Sequence, residues 1–383
     1  MNKIESIISK INRNIIGVEE MNRVASVLER GFLSRPSGGP EVKEFQLAIG
    51  KILNKKYAFA ATSGTSALHL AIASLGLKDD DEVIIPALAN IADFSVIIQE
   101  GARPVFADID PETFNIDPCD LEKKITKKTK AIIVVHMYGQ PVSLSKISKI
   151  AKKNKLILIE DCAQSAGARY HGKYVGSFGD ISCFSFYQTK HIITGEGGMV
   201  LTSNRSFAKI IDSIANNGIK KEDVDAYDYD KIGYNYQMTE LQAALGIVQL
   251  KKLDKLNIQR RKNVEIYKNQ FKDLNFIFQK TEKFTENSYF YLTVLLPESL
   301  AAKRDQFLKN VQKKGVPIKK LYPLSLPELE IVKKTNNTEC PVAKSITKRL
   351  FNLYVNPGLS KQDLISFSAV IKDIYIKLKN EKK

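Results

Sequence analysis

One lysine stands between an apolar run and a glycine-rich turn. Lys190 follows Cys183–Phe186 (CFSF), and Gly195, Gly197 and Gly198 come shortly after it. In a partly buried pocket, a lysine amine loses its proton more easily and can form a Schiff base with a carbonyl group. Glycines in such a turn permit close backbone approach or a positive φ. Because most lysines are simply solvated, this segment gains meaning only together with others.

An acidic residue closes a second apolar run. Asp161 follows Ile157–Glu160 (ILIE), and Gln164 comes three residues later. Open α/β sheets form their binding sites at the carboxyl ends of strands. A carboxylate in that position can keep a facing ring nitrogen protonated, which an electron-accepting pyridinium requires. A lone acid here also fits a helix cap or a solvated surface position.

Two further segments lie just before predicted helices. Ala61–Ser66 (ATSGTS) precedes the helix-like Ser66–Leu75. Free backbone N–H groups and the helix dipole would attract a phosphate there, at Gly64 and Thr65, although an ordinary Ser/Thr cap has the same composition. Gly233–Glu240 (GYNYQMTE) precedes a longer predicted helix and by itself fits a cap with aromatic packing.

The elements that carry these residues follow an α/β order. Four nearly continuous apolar runs predict strands buried on both faces of a mainly parallel sheet. These runs are Glu82–Pro86, Pro104–Ala107, Ala131–Val135 and Leu156–Glu160. Helix-like stretches such as Ser66–Leu75 and Leu144–Lys153 lie between the apolar runs. The alternation predicts helices packed against a central sheet.

After about residue 240 the pattern changes. Helical spacing with few breakers predicts a long helix from Glu240 onward, which leaves the large domain. Beyond it, strand-like Tyr289–Leu296 and helix-like Val342–Leu350 predict a smaller α+β domain. We place the large α/β domain at residues 1–250 and the small C-terminal domain at residues 251–383. An amphipathic helix is predicted over residues 1–17.

Composition narrows the classes of function. The 383 residues carry a formal net charge of +16, but the lysines are spread along the chain without a basic tail, which disfavours a nucleic-acid partner. Four scattered cysteines form no CxxC pair, so neither a metal site nor a disulfide framework is expected. No apolar segment reaches the about 18 residues of a membrane helix, and the N-terminus lacks a signal-peptide pattern. We expect a cytoplasmic protein with reduced thiols.

Taken in order, the segments around Gly64, Asp161, Lys190 and Asn235 resemble the sugar aminotransferases of the DegT/DnrJ/StrS family, which are fold-type I pyridoxal-phosphate (PLP) enzymes. The resemblance extends over nearly the whole chain. Its most specific motifs are ATSGTSALHLA, DEVIIPA, GARPVFADIDPETFNID, VHMYGQP, IEDCAQSAGA, GSFGDISCFSFYQTKHIITGEGG and GYNYQMTELQAALG. It implies an α/β fold-type I aminotransferase with a large, mainly parallel central sheet and a smaller C-terminal α+β domain.

The resemblance implies a role for each matching residue. Lys190 matches the lysine that bonds covalently to PLP, and Asp161 matches the acid paired with the pyridine nitrogen. Gln164 matches the residue near the phenolic oxygen of the cofactor. The positions that match phosphate contacts are Gly64, Thr65 and Ser185. Asn235 matches an asparagine that reaches the cofactor phosphate of the neighbouring subunit, which implies a homodimer with shared active sites.

Three residues are candidates for contact with the substrate. His136 ends a predicted strand, on the side of the sheet where sites form, and His191 follows the lysine. Asn90 occupies the place where the family has an aromatic ring stacked on the cofactor, so either Phe94 takes over that stacking or it is lost. The other departures from residues usual in the family are at Ala215, Asn217, Gln237 and Asn356.

The implied reaction is transamination of a nucleotide-linked keto-sugar, with L-glutamate as amino donor and no membrane partner. The nearest alternative is a PLP- or pyridoxamine-phosphate-dependent sugar dehydratase on the same scaffold. Sugar 3-dehydratases of this family, however, carry histidine where this chain has Lys190. A second alternative is a non-catalytic regulatory protein, because a fold alone does not fix a function.

Overall fold

The strands of the computed structural model are short and largely buried. They are β1 Tyr57–Ala61, β2 Glu82–Pro86, β3 Arg103–Ala107, β4 Thr129–Val135, β5 Ile157–Asp161, β6 Arg169–Tyr170, β7 Lys173–Tyr174, β8 Ile181–Ser185, β9 Gly198–Thr202, β10 Ile277–Phe278, β11 Thr285–Glu286, β12 Leu292–Leu295, β13 Ile318–Lys319 and β14 Leu350–Leu353. Seven of them form a central sheet in the order β1-β9-β8-β5-β4-β2-β3. A four-stranded sheet, β10-β12-β14-β13, and a small sheet, β11-β6-β7, complete the set.

Helices cover both faces of the central sheet. They are α1 Val18–Arg30, α2 Pro40–Leu53, α3 Gly64–Ala73, α4 Ile91–Gln99, α5 Pro118–Lys124, α6 Leu144–Lys153, α7 Arg205–Ala215, α8 Glu240–Gln270, α9 Arg304–Lys313, α10 Glu330–Lys333, α11 Pro341–Arg349 and α12 Lys361–Asn380. The described residues are 7, 9, 15–35, 38–220, 228–229, 231–335 and 338–380, so the helix predicted over residues 1–17 lies almost wholly outside them. Among these described residues, no helix has the length and apolar character needed to cross a membrane.

The prediction of a mainly parallel central sheet is confirmed. β2 pairs in parallel with β3 and β4, β4 with β5, and β5 with β8. Only the pairings of β9, with β8 and with β1, are antiparallel within this sheet as described. The parallel strands therefore end together, at the edge where α/β folds form their sites.

Alternate residues of the central strands pack into two separate cores. Ile133 and Ile159 belong to the core with α3, α4 and α7, whereas Ile132 and Leu158 belong to the core with α2, α6 and α8. This follows from the two-residue period of a strand. The same parity directs Asp161 towards the face of Ile159.

Side-chain caps fix the starts of the helices near the site. Ser63 accepts a hydrogen bond from the Ser66 amide at α3, and Asn90 accepts one from the Ala92 amide at α4. The start of α2 is capped from far along the chain, because the Glu240 carboxylate accepts hydrogen bonds from the amides of Gly39 and Glu41, both 2.9 Å. These contacts satisfy backbone N–H groups that a helix leaves unpaired.

A single helix contributes to two cores. Leu253 of α8 lies in the core beneath the central sheet, while Val264 and Tyr267 of the same helix lie in the core of the four-stranded sheet. The predicted boundary at residue 250 falls within α8 and stays a prediction. The two predicted domains also share a core, because Leu326 and Ala343 from the C-terminal part of the chain pack onto the α3–α4 core.

Candidate active site

Asp161 ends β5 on the same face as α3 and α4. Its side chain is buried and its Oδ1 accepts a hydrogen bond of 2.8 Å from the Ala163 amide. Burial raises the pKa of the Asp161 carboxyl, although the Ala163 hydrogen bond and the nearby charge of Lys190 oppose this shift. The carboxyl group therefore lies in a site where a cationic partner would stabilise its charge.

Lys190 lies in the turn after β8. Its backbone N–H donates to the Tyr187 carbonyl at 2.8 Å, and its Nζ lies 4.6 Å from the ring centroid of Phe290. Burial lowers the pKa of the ammonium group to about 8, against the opposing charges of Asp161 and Asp93. The structure thus brings together the amine and the acid that the sequence predicted.

A second acid, Asp93, was missed by the sequence predictions. It lies in the first turn of α4, is fully buried, and neither oxygen of its carboxyl group has a hydrogen-bond partner among the described residues. Burial and then the charge of Asp161 raise the pKa of Asp93 well above its usual value. The sequence did offer one signal. Asp93 is the single acid within the mostly apolar stretch ANIADFSVII, where a merely solvated acidic residue would not be expected.

The predicted phosphate loop closely approaches β8. A Cβ atom added to Gly64 would lie 2.6 Å from the Cβ of Ser185, so no larger residue fits without a shift. Gly64 begins α3, Thr65 is exposed, and Ser185 is partly exposed at the end of β8. Free amides of a helix start beside a hydroxyl are a suitable surface for a phosphate group.

Gln164 connects the large sheet to the C-terminal part of the chain. It is buried, its Oε1 accepts from the Tyr138 amide at 3.1 Å, and its Nε2 donates to the Tyr322 hydroxyl at 2.8 Å. Burial raises the pKa of Tyr322, and the side chains of Asn90 and Gln164 oppose this shift. Sequence reasoning missed Tyr322, because it lies 158 residues from Gln164 with no flanking motif.

The aromatic position left open at Asn90 is not filled by Phe94. Phe94 is buried and lies nearly parallel to Phe106, with ring centroids 6.2 Å apart, as part of the core. Asn90 is exposed, and its Oδ1 caps α4. Of the two alternatives from the sequence, the geometry favours loss of the usual stacking ring.

His136 is buried with both ring nitrogens engaged by the protein. Its Nδ1 accepts from the Val142 amide at 3.1 Å, and its Nε2 donates to the Glu160 carboxylate at 3.1 Å. Cys162 lies close to this pair, but the hydrogen bonds already occupy the donor atoms of the histidine. This arrangement points to a structural role for His136 rather than the predicted substrate contact.

His191 follows Lys190 but lies in a buried environment of its own. Its Nε2 lies 3.2 Å from the Ser288 carbonyl, and its Nδ1 has no hydrogen-bond partner among the described residues. Burial, and then the charge of Arg260, lower the pKa of His191 well below its usual value. The ring is therefore neutral, and its contact with substrate stays a prediction.

The residues of the GYNY segment and the other departures take part in local structure. Asn235 is exposed and its backbone bridges that of Asn216, which accepts a side-chain hydrogen bond from Gln237. The next residue, Tyr236, accepts a hydrogen bond of 3.0 Å from the Thr62 amide. The segment thus lies against the predicted phosphate loop of its own chain, while the Asn235 side chain is free to reach outward.

A sequence profile of the DegT/DnrJ/EryC1/StrS aminotransferase family matches residues 14–372. The chain belongs to this family. Its sequence is 35% identical over 358 residues to GDP-perosamine synthase from Escherichia coli O157:H7, covering 93% of this chain and 96% of that protein.

Solved structures of other aminotransferases share the fold. Helicobacter pylori PseC, an aminotransferase involved in the biosynthesis of pseudoaminic acid, matches with a TM-score of 0.90 and 26% identity, over 94% of this chain and 97% of that one. Streptococcus pneumoniae Spr1654 in its PLP form matches with a TM-score of 0.89 and 26% identity, over 95% and 97%. This chain is therefore a PLP-dependent sugar aminotransferase of fold type I.

The residues present fit PLP. The half-buried amine of Lys190 suits a bond to the aldehyde, and the Asp161 carboxyl lies within electrostatic reach of that amine. Gly64 lies so close to Ser185 that an added Cβ would clash with it, and this close approach of backbone and hydroxyl suits the phosphate. Asp93, whose carboxyl oxygens have no hydrogen-bond partner among the described residues, adds a second buried carboxyl group near Asp161 and Lys190.

Proposed function

We propose that this aminotransferase moves an amino group from L-glutamate to the keto carbon of a nucleotide-linked sugar, giving an amino-sugar nucleotide. The observation that carries the proposal is the amine of Lys190, whose pKa burial lowers, within electrostatic reach of the buried carboxyl group of Asp161. The similarity to GDP-perosamine synthase supports a sugar attached to a nucleotide.

Lys190 is the residue that we propose to move protons. PLP, when bound, supplies an aldehyde that bonds to amines and a ring that withdraws electrons. Because burial lowers the pKa of Lys190 to about 8, its amine is neutral in a useful fraction of molecules near neutral pH. It can then take a proton from the α-carbon of the donor and return one to the sugar carbon that receives the nitrogen. A positioned acid–base group contributes about 10²–10⁴-fold to such a step.

The neighbouring residues position the reacting atoms. The Asp161 carboxylate would hold the proton on the pyridine nitrogen, and Gly64, Thr65 and Ser185 would hold the phosphate. Gln164, whose amide is fixed by hydrogen bonds to Tyr138 and Tyr322, would lie at the phenolic oxygen. Side chains held in this way reduce the entropy lost when substrates are aligned.

We also propose a homodimer in which Asn235 completes the partner's phosphate site. Asn235 is exposed, and large apolar side chains are exposed on α1 and directly after it. These side chains are Val18, Met21, Leu28, Phe32 and Leu33. Exposed apolar patches of this kind are typical of surfaces that bind another protein.

Mixed dimers test the shared site. Lys190→Ala and Asn235→Ala proteins should each be impaired, and refolding or co-expressing them together should restore activity. In the hybrid, one site receives the intact lysine from one subunit and the intact asparagine from the other. If Asn235 instead served its own subunit, every hybrid site would keep one defect and no activity would return.

An amino-transfer assay tests the reaction itself. Purified protein with PLP, L-glutamate and a panel of nucleotide-linked keto-sugars should give an amino-sugar nucleotide together with 2-oxoglutarate. Lys190→Ala should reduce turnover by at least about 10²-fold while the fold, followed by circular dichroism, is unchanged. Loss of a sugar hydroxyl without incorporation of nitrogen would indicate the dehydratase instead, and unchanged amination by Lys190→Ala would refute the role of the lysine.

A further inference from the structure

A second lysine with unusual surroundings lies on β13 of the four-stranded sheet. Lys319 pairs through its backbone with Asn352 of β14. Its Nζ lies 4.4 Å from the ring centroid of Tyr291 and 5.5 Å from that of Tyr354. The two rings are perpendicular, with centroids 5.2 Å apart, so they form an aromatic corner around the ammonium group.

Within the part of the chain that the structure describes, no acidic side chain balances the charge of Lys319. Among the described residues no carboxylate lies within ion-pair distance of its Nζ, although the adjacent Lys320 bonds both oxygens of Asp305 at 2.8 and 2.9 Å. Burial, with a further effect of Lys190, lowers the pKa of Lys319 to about 8. A half-buried cation that lies against aromatic faces, with no carboxylate partner among the described residues, attracts an anion because water cannot fully solvate it.

An aromatic wall connects this lysine to the catalytic one. Lys190 lies over Phe290 and Lys319 lies over Tyr291, and these two consecutive rings have centroids 4.4 Å apart. The charge of Lys190 also contributes to the lowered pKa of Lys319, in keeping with their positions along this aromatic wall. A ligand that reacts at Lys190 therefore comes close to Lys319.

We infer that Lys319 is a binding residue for a carboxylate of the amino donor. The inference rests on the proposed function, in which Lys190 takes a proton from the α-carbon of an amino acid. The α-carboxylate is bonded directly to that carbon, so it must lie beside the Lys190 amine when the proton moves. Lys319 lies over the ring next to the one beneath Lys190, it has no carboxylate partner among the described residues, and burial strengthens the resulting ion pair.

Two other anions reach this enzyme, and each fits the position less well. The diphosphate of a nucleotide sugar is separated from the keto carbon by the sugar ring, so it lies further from Lys190 than the donor carboxylate does. The phosphate of PLP is accommodated by the surface around Gly64 and Ser185 at the start of α3. Both alternatives predict a different ligand whose binding weakens when Lys319 is changed.

The test compares Lys319→Gln and Lys319→Arg with the wild type as holoenzymes. Lys320→Gln serves as the matched control, since it removes a neighbouring positive charge that is already paired with Asp305. Succinate, an unreactive dicarboxylate, gives an equilibrium Kd by calorimetry without turnover. The concentration of L-glutamate that half-saturates the bleaching of the PLP absorbance in a single turnover gives the value for the reacting donor.

We expect Lys319→Gln to weaken both values by about ten- to a hundredfold, the usual effect of losing a charged hydrogen bond. Lys319→Arg should retain part of the affinity, and Lys320→Gln should behave as the wild type. The rate at saturating glutamate should change little, because the contact is made equally in the ground state and the transition state.

Other outcomes overturn the inference. Unchanged succinate binding by Lys319→Gln would show that the lysine does not bind the carboxylate. If Lys319→Gln bound GDP or UDP more weakly but succinate with unchanged affinity, Lys319 would be assigned to the diphosphate. If only the affinity for PLP fell, Lys319 would be assigned to the cofactor. If the wild type binds succinate through Lys319 but transfers nothing from glutamate, the proposed donor is wrong while the carboxylate site stands.

Discussion

Glu160 and Asp161 are consecutive residues at the end of β5, and their carboxyl groups lie on opposite faces of the central sheet. Glu160 accepts hydrogen bonds from the amides of Gly176, Phe178 and Gly179, at 2.8, 2.8 and 2.6 Å, and from His136. Burial alone would raise the pKa of Glu160, yet these hydrogen bonds lower it. Asp161 receives one amide hydrogen bond and its pKa is raised. One carboxylate is thus bound by the protein, and the other remains available to a ligand.

Glu160→Ala should destabilise the fold. The substitution leaves the His136 ring and three amides, two of them fully buried, without their acceptor, which typically costs about 3–5 kcal/mol. Urea denaturation of the wild type and the variant should show this loss in the free energy of unfolding. A difference of less than about 1 kcal/mol would mean that the Glu160 carboxylate is not the acceptor for the amides of Gly176, Phe178 and Gly179.

Asp161→Asn should reduce turnover but hardly change the stability of the fold. The amide keeps the volume and the bond from Ala163 but cannot hold a proton on the pyridine nitrogen. We expect the free energy of unfolding to change by less than about 1 kcal/mol and turnover to fall by at least about 10²-fold. The absorbance of PLP bonded to Lys190 should persist, because that bond does not involve Asp161. Near-normal turnover would remove Asp161 from the mechanism.

Asp93→Asn should stabilise the cofactor-free protein near neutral pH. In the folded state the pKa of Asp93 is raised well above its ordinary value, so above about pH 4 the unfolded chain holds fewer protons than the folded one. The contribution of this carboxyl group to stability therefore falls as pH rises. Melting temperatures measured at several pH values should show the variant gaining on the wild type as pH increases. Parallel curves would show that Asp93 does not titrate in this way.

Gly64→Ala should weaken PLP binding. The added methyl group would lie 2.6 Å from the Cβ of Ser185, so the start of α3 must move away from β8. Titration of the cofactor-free protein with PLP, followed by tyrosine fluorescence, should show a Kd raised by about tenfold or more. Gly172→Ala is a suitable control, because Gly172 has φ +75° but an added Cβ meets no atom within 4 Å. It should lower stability without affecting PLP. An unchanged Kd for Gly64→Ala would place the phosphate elsewhere.

The sequence predicted the features of the site that depend on local pattern. Continuous apolar runs identified the parallel strands, and the acid at the end of one run lies where a parallel sheet places it, at Asp161. The turn that contains Lys190 and the following glycines was recognised because it comes directly after another apolar run. These features need only the period of a strand and the known edge of an α/β sheet.

The residues that the sequence did not reveal approach the site from a distance. Tyr322 and Lys319 come from the C-terminal part of the chain, on segments without a motif, and only tertiary packing brings them near Gln164 and Lys190. Asp93 was not predicted because it lies within a mostly apolar helix. His136 shows the converse, because its place at a strand end suggested a ligand contact, while the period of the neighbouring strand presents Glu160 to its ring.

The cap of α2 has a consequence for the order in which the protein is made. The amide of Gly39 donates to a carboxylate 201 positions later in the sequence, at Glu240. While the chain emerges from the ribosome, the beginning of α2 therefore lacks this protein acceptor until 201 further residues have been synthesised. The start of α2 can therefore reach its final, capped form only after the first turn of α8 has been made.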